Sequence, residues 1–200
     1  MKSAMPFRGI ALPEVRRIAR GAVAETGPHD TATVLALVTE LWDGARHRED
    51  RYAALEILGL PRHRKACDAG VLVLVGRLIV EGAWWDITDE LAGLVGHLLP
   101  LPGARATVVS WVDDPDLWLR RCAIICQLRR KDDTDLDLLT FAIERNAADK
   151  DFFIRKAIGW ALRDYGYHDP GWVLAFVDSH ELAPLSRREA TRRLSAPPSS

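Results

Sequence analysis

A 35-residue step runs through this chain and leaves few folds open to it. "RYAALEIL" begins at Arg51, "RCAIICQL" at Arg121 and "KAIGWAL" at Lys156. The last two starts lie 35 residues apart and the first two twice that; the missing step falls at Asp86, where "DITDELAGL" carries similar apolar positions. A period of this length, with room for two helices in each, is expected of a helical-repeat solenoid. Regular loops in any all-helical protein could also produce it by chance, but three basic residues leading an Ala/Leu/Ile face favour the repeat. Stacked helix pairs bury one continuous core and leave a curved surface formed by one helix of each pair. The 200 residues suffice for one sizeable domain, and 1–200 reads as a single all-helical one.

Helical periodicity is frequent and strand signals are weak. "HDTATVLALVTELWD" (29–43) sets Leu35, Val38 and Leu41/Trp42 at helical intervals, with Asp30 or Thr31 available as a cap. "REDRYAALEILGL" (48–60) repeats the pattern with Tyr52, Leu55 and Leu58. Further helices are predicted over 68–80, 84–98, 103–112, 116–130, 133–147, 151–165, 170–178 and 186–194, several followed by Pro or Gly where helices stop. The run 71–80 is rich enough in Val and Leu to be a buried strand, but its neighbours are helical and no partner strand is visible, so it is read as helix. Arg77 interrupts the apolar segment 70–82, which is too short to span a bilayer. No cationic start followed by an apolar run suggests a signal peptide. Cys67, Cys122 and Cys126 are odd in number and lack zinc-ligand spacing, so they read as thiols in a reducing compartment. A cytoplasmic protein without metal or other cofactor is expected.

The formal net charge of -1 argues neither for nor against a nucleic-acid partner, but the charges are unevenly spread. Residues 46–65 hold Arg46, Arg48, Arg51, Arg62, Arg64 and Lys65 against Glu49, Asp50 and Glu56. Residues 116–131 hold Arg120, Arg121, Arg129, Arg130 and Lys131 against Asp116 alone, whereas 132–151 swings acidic. Near the C-terminus stand Arg187, Arg188, Arg192 and Arg193 against Glu189. Recurring basic clusters fit a phosphate-binding concave face, and a solvated surface of mixed sign is the plain alternative. Arg51, Arg120, Arg155, Lys156, Arg187 and Arg188 are the cations expected to meet DNA.

"EGAWWDITDELAGL" (81–94) poses a separate question. Consecutive helical residues point about 100° apart, so two adjacent indoles cannot share one core position. Asp89, four residues after Trp85, emerges on the same face as that ring. Arg121 offers a fork suited to a phosphate or a carboxylate, and an ion pair to an acid of the next repeat is one reading of it. In "DFFIRKAIGWALRDYGYHDP" (151–170), Asp151 can cap a helix whose Phe153, Ile154, Ala157, Ile158 and Ala161 face inward. Trp160 lies off the centre of that stripe, either sealing a boundary between repeats or lining a groove with Trp85.

The combination "WWDITD" (84–89), "WLRRCAIICQL" (118–128), "FFIRKAIGWALRDY" (152–165) and "ELAPLSRREA" (181–190), with "FRGIALPEVRR" (7–17), resembles the AlkD-type DNA alkylation repair glycosylases along nearly the whole chain. The resemblance implies an all-α solenoid of HEAT-like repeats that wraps duplex DNA, and active-site positions at Trp85, Asp89, Arg121 and Trp160. It further implies hydrolysis of the N-glycosidic bond of cationic N3- and N7-alkylated purines without drawing the base into a pocket. Asp89 would stabilise positive charge on the deoxyribose and orient a water. Trp85 and Trp160 would hold the sugar–phosphate, and Arg121 would fix a phosphate or pair with Asp89; Trp84 is left to pack. The family's first helix precedes the segment matched here, so that helix is expected to be missing or the start to be misassigned, and Ala11 stands where the family often has glutamine. A monomer acting on double-stranded DNA is expected, with no membrane association. The alternatives are a catalytically silent solenoid that binds distorted or branched DNA, and a protein-binding scaffold.

Overall fold

The computed structural model describes residues 5–26, 30–192 and 194, and among them it contains helices and no strand. In chain order these are α1 (Leu12–Thr26), α2 (Thr31–Asp43), α3 (Arg48–Gly59), α4 (Pro61–Ala66), α5 (Val71–Gly82), α6 (Trp85–Leu98), α7 (Ala104–Val112), α8 (Leu117–Ile125), α9 (Leu136–Asn146), α10 (Phe152–Tyr165), α11 (Pro170–Ser179) and α12 (Pro184–Thr191). The predicted helices recur within a few residues; α1 and the short α4 are additions. The ambiguous Val/Leu run is helix α5. It buries Val71, Leu72, Val75, Leu78 and Ile79 while Val73 stays 81% exposed, a three-to-four spacing that no strand would show. Arg193 lies outside the described residues.

The chain divides into two compact units, Met1–Val71 and Leu72–Ser200. In the first, α3 packs against α1, α2 and α4. Val15, Ala19 and Val23 of α1, Val34, Val38 and Trp42 of α2, and Ala54, Leu55 and Leu58 of α3 are its buried apolar residues. Asp30 caps α2 by accepting from the Thr33 N–H at 2.7 Å. The acids of α3 face inward. Glu56 pairs with Arg16 and Arg20 at 3.2 and 2.6 Å. Glu49 accepts the backbone N–H groups of Arg8, Gly9 and Ile10 at 3.0, 2.9 and 3.2 Å. Gly9, at φ +83°, adopts the left-handed turn that lets successive N–H groups converge on one anion. Cations of the 46–65 cluster are drawn in as well: Arg48 is buried, and the Arg51 guanidinium lies 4.4 Å from the Trp42 ring centroid.

In the second unit, α6, α8, α10 and α12 pack side by side, with α7 and α9 against α8 and α11 against α10 and α12. The 35-residue step reappears as hydrogen bonds between equivalent elements. Arg121 reaches Asp89 across 32 residues, Asn146 reaches the Val112 carbonyl across 34, and the Arg129 N–H reaches Asp164 across 35. The turns before α8 and α10 are copies. Asp116 and Asp151 cap their helices, and Asp114 and Asp149 accept the N–H groups of those caps at 2.8 and 2.7 Å. Arg120 and Arg155 then return to the carbonyls of Asp114 and Asp149 at 2.7 and 2.9 Å.

One predicted boundary is corrected. The helix expected over 116–130 stops at Ile125: the Leu128 N–H closes a three-residue turn on the Ile125 carbonyl at 3.1 Å, and Arg129 then turns left-handed (φ +67°) with its N–H taken by Asp164 at 2.6 Å. Arg130 donates to the Gly96 carbonyl at 2.5 Å. Arg120 therefore lies in the first turn of α8, and the group Arg129–Lys131 lies beyond its last residue.

Two outcomes test this account. Asp151→Ala should lower stability by about 1 kcal/mol, read by denaturant unfolding, through loss of the α10 cap. Burial alone would raise the Glu49 carboxyl, but the N–H groups of Arg8, Gly9 and Ile10 hold it below its ordinary value. The stability it contributes is therefore present at neutral pH and is lost as pH falls through and below the ordinary carboxylate range. Hydrogen exchange at Arg8–Ile10 should accelerate on acidification, corrected for the intrinsic rate, and should already be fast at neutral pH in Glu49→Gln.

Candidate active site

The adjacent indoles take different roles because of how α6 begins. The chain leaves α5 through Ala83 at φ +43° and enters α6 with Trp84 extended as its N-cap residue. The Trp84 ring joins Trp118 and Phe153, with centroids 5.8 and 5.5 Å away, and those two rings are 5.0 Å apart. These positions are 34 and 35 residues apart and follow the repeat step, each being an aromatic residue at the cap or in the first turn of α6, α8 or α10. Trp85, one residue on, turns out of this cluster and is 39% exposed. Asp89 follows one turn later on the same face, its side chain 23% exposed.

Arg121 of α8 closes the arrangement from behind. Its Nε and Nη2 donate to the two Asp89 oxygens at 2.7 and 2.8 Å, and Nη1 donates to the Phe153 carbonyl at 2.7 Å. The guanidinium carbon lies 5.2 Å from the Trp160 ring centroid and 6.0 Å from that of Phe153. With its side chain 1% exposed, Arg121 is a buried cation whose charge is met by one carboxylate. Of the two roles the sequence leaves it, pairing with Asp89 is the one adopted. The pair is one-sided: the arginine faces protein, while Asp89 keeps part of its surface toward solvent. A carboxylate so held has its orientation fixed in advance and oxygen lone pairs left over for a water or a substrate.

Trp160 shares a face of α10 with Phe153 and Lys156, at helical spacings of three, four and seven. It is half-buried, with the Lys156 ammonium 5.5 Å from its ring. Trp85, Asp89, Arg121 and Trp160 thus come from α6, α8 and α10 of one unit, with Asp89–Arg121 and Arg121–Trp160 in direct contact.

The cations expected to meet DNA are mostly engaged with protein. Arg120 binds Asp149 at 3.1 Å besides its own turn, and Arg155 donates to the Asp149 carbonyl. Lys156 binds Glu189 at 2.9 Å. Arg187 donates to the Val177 carbonyl at 2.6 Å and lies 3.7 Å from Asp178. Arg51, in the other unit, lies over Trp42, and Arg188 is exposed. Sequence reasoning missed the Lys156–Glu189 contact and the Phe153 carbonyl. The 33-residue step from Lys156 to Glu189 was the available signal.

Residues 1–194 match the family model of the DNA alkylation repair enzymes. A solved structure of a predicted DNA alkylation repair enzyme from Enterococcus faecalis superposes with a TM-score of 0.82 and 28% identity, over 96% of this chain and 90% of that one. No curated protein matches the sequence. Among the described residues, no helix is long and apolar enough to cross a membrane. With this match along the chain and this likeness of fold, the protein belongs to the DNA alkylation repair enzyme family.

Proposed function

We propose that this protein is a monofunctional DNA glycosylase that hydrolyses the N-glycosidic bond of cationic N3- and N7-alkylated purines in duplex DNA. The observation that carries the reading is the one-sided Asp89–Arg121 pair, with its carboxylate one helical turn from the exposed Trp85. An alkylated purine already bears positive charge and leaves as a neutral base, so no strong general acid is needed. As the C1′–N bond breaks, its electron pair goes to the base and positive charge grows on the deoxyribose. Asp89 supplies a fixed negative charge for that stage and can accept a hydrogen bond from the water that adds to C1′. Trp85 presents a ring face suited to a cationic sugar. Trp160 stands against the Arg121 guanidinium.

A silent DNA-binding solenoid is the second reading, and a specific observation speaks for it. Arg145 and Asp113 also pair across 32 residues, at 2.8 and 3.1 Å, so pairing between repeats is a structural device of this fold. That pair is about half exposed on both sides, whereas Arg121 is buried against aromatic rings and turns Asp89 outward. The difference favours catalysis.

Duplex DNA carrying N7-methylguanine or N3-methyladenine should release free base and retain an abasic site, with strand cleavage appearing only after heat or alkali. Asp89→Asn should lower single-turnover base release by about 10²–10³-fold while largely sparing DNA affinity. An Asp89→Asn variant as fast as the parent would exclude Asp89 as the stabilising anion. A parent that binds duplex DNA in a salt-dependent manner yet releases no base would leave the silent reading in place.

The pair also sets stability. Asp89→Asn strands a buried guanidinium without its counter-charge, a change that costs up to about 3–5 kcal/mol in buried pairs. Arg121→Met leaves a carboxylate that water can still reach. Thermal unfolding should therefore show Asp89→Asn as the less stable of the two, and kinetic comparison belongs below both transitions.

A further inference from the structure

Trp160 lies beside two cations that would repel each other unless each had its own counter-charge. The Arg121 guanidinium is 5.2 Å from its ring centroid and is paired with Asp89. The Lys156 ammonium is 5.5 Å from the same ring and donates to Glu189 Oε1 at 2.9 Å. Arg163 Nη1 donates to the other Glu189 oxygen at 2.6 Å. Lys156 and Arg163 are two turns apart on one face of α10, and Gly159 sits between them. A Cβ at Gly159 would stand 2.5 Å from the Cβ of Glu189 and 2.9 Å from the Ser186 carbonyl oxygen, so α12 meets α10 there at backbone distance. Ser186 Oγ fastens the same contact by donating to the Arg155 carbonyl at 2.9 Å. Glu189 is 7% exposed. The Lys156 hydrogen bond, opposed by burial and aided by Arg163, keeps its carboxyl below the ordinary value.

A row of alternating charge and aromatic surface results: Asp89 on α6, Arg121 on α8, Trp160 and Lys156 on α10, and Glu189 on α12. We propose that Glu189 is a positioning residue for the active site, acting through Lys156 to fix the Trp160 ring against the Arg121–Asp89 pair. The inference rests on the glycosylase reading for its effect on rate, though not for its effect on Trp160. A lysine ammonium is strongly hydrated and sits on a flexible stem. Released from Glu189, it would move to water or to a DNA phosphate and leave Trp160 with one flanking cation. Lys156, expected from the sequence to meet DNA, is by this account an internal strut of the site.

The test compares Glu189→Gln, Lys156→Met, the double variant and Arg163→Met in the full chain. The Trp160 indole N–H resonance, assigned with Trp160→Phe, reports the ring directly. Base release from an N7-methylguanine duplex under single-turnover conditions reports the site, with duplex affinity and melting temperature measured alongside. Glu189→Gln and Lys156→Met should each move the Trp160 resonance and slow release by about three- to tenfold, the scale of a lost cation–π contact. The double variant should be no slower than the slower single one, because both act through one contact. Arg163→Met removes the other ion pair of the same carboxylate; it should lower the melting temperature while leaving the Trp160 resonance and release rate at parent values. A Trp160 resonance unmoved by Glu189→Gln, additive losses in the double variant, or an Arg163→Met effect equal to that of Glu189→Gln would each overturn the proposal. Should the parent release no base, the glycosylase reading fails, and the resonances still decide whether Glu189 positions Trp160.

Discussion

A buried guanidinium has to find its counter-charge and its hydrogen-bond acceptors inside the protein, and Arg121 finds them on two neighbouring helices. Asp89 of α6 supplies both carboxylate oxygens, and the Phe153 carbonyl of α10 takes a third donor. One side chain on α8 therefore joins α6, α8 and α10. Its burial makes loss of a partner costly and fixes the register of α6 against α8 more narrowly than apolar packing would. The aromatic cluster of Trp84, Trp118 and Phe153 lies beside this joint and keeps water from one flank of it. Trp85 is exposed as a consequence, because its neighbour has taken the inward position.

The repeat explains why contacts of this type recur. A helix pair cannot bury its apolar face alone, so each pair must meet the next in the same way. In the second unit the chain solves that problem with copied turns. Asp114 with Asp116, and Asp149 with Asp151, each tie a loop to the start of a helix, and an arginine four residues after the cap returns to the loop carbonyl. Arg120 also reaches Asp149, so one copy holds the next. These arginines look like phosphate ligands when counted as charges, but much of their hydrogen-bonding capacity is spent inside.

What could be read from the sequence follows the range of the forces concerned. Helix class, most helix positions and the repeat step rest on local periodicity, and these hold in the structure. That Trp84 and Trp85 would take different roles was also readable, since adjacent residues cannot face the same way; which of them packs came only with the family resemblance. Helix α1 was overlooked: its buried residues, Val15, Ala19 and Val23, recur every four positions, but they are few and small among charged neighbours, so the segment is polar on average. The end of α8 was misjudged because the turn that follows it is held from a distance, Asp164 taking the Arg129 N–H across 35 residues. Asp149 as a partner of Arg120 and Glu189 as the partner of Lys156 were hidden for the same reason, lying 29 and 33 residues away; Arg155 instead turns back on a carbonyl six residues before it.

For the proposed chemistry, the pairing of Asp89 with Arg121 sets two effects against each other. A guanidinium 2.7 Å away offsets much of the field that an anion would direct at a forming sugar cation. A free carboxylate, however, would rotate and gather water, and reorienting that water would add to the barrier. Preorganisation favours the held anion when its charge is aimed at the place where positive charge grows, because no rearrangement is then needed at the transition state. The partial exposure of Asp89 and the full burial of Arg121 leave the anion's free side toward solvent, the side from which a substrate would have to approach. A cationic leaving group makes the compromise workable, since the bond it breaks is already weakened and the protein has only the remaining barrier to lower.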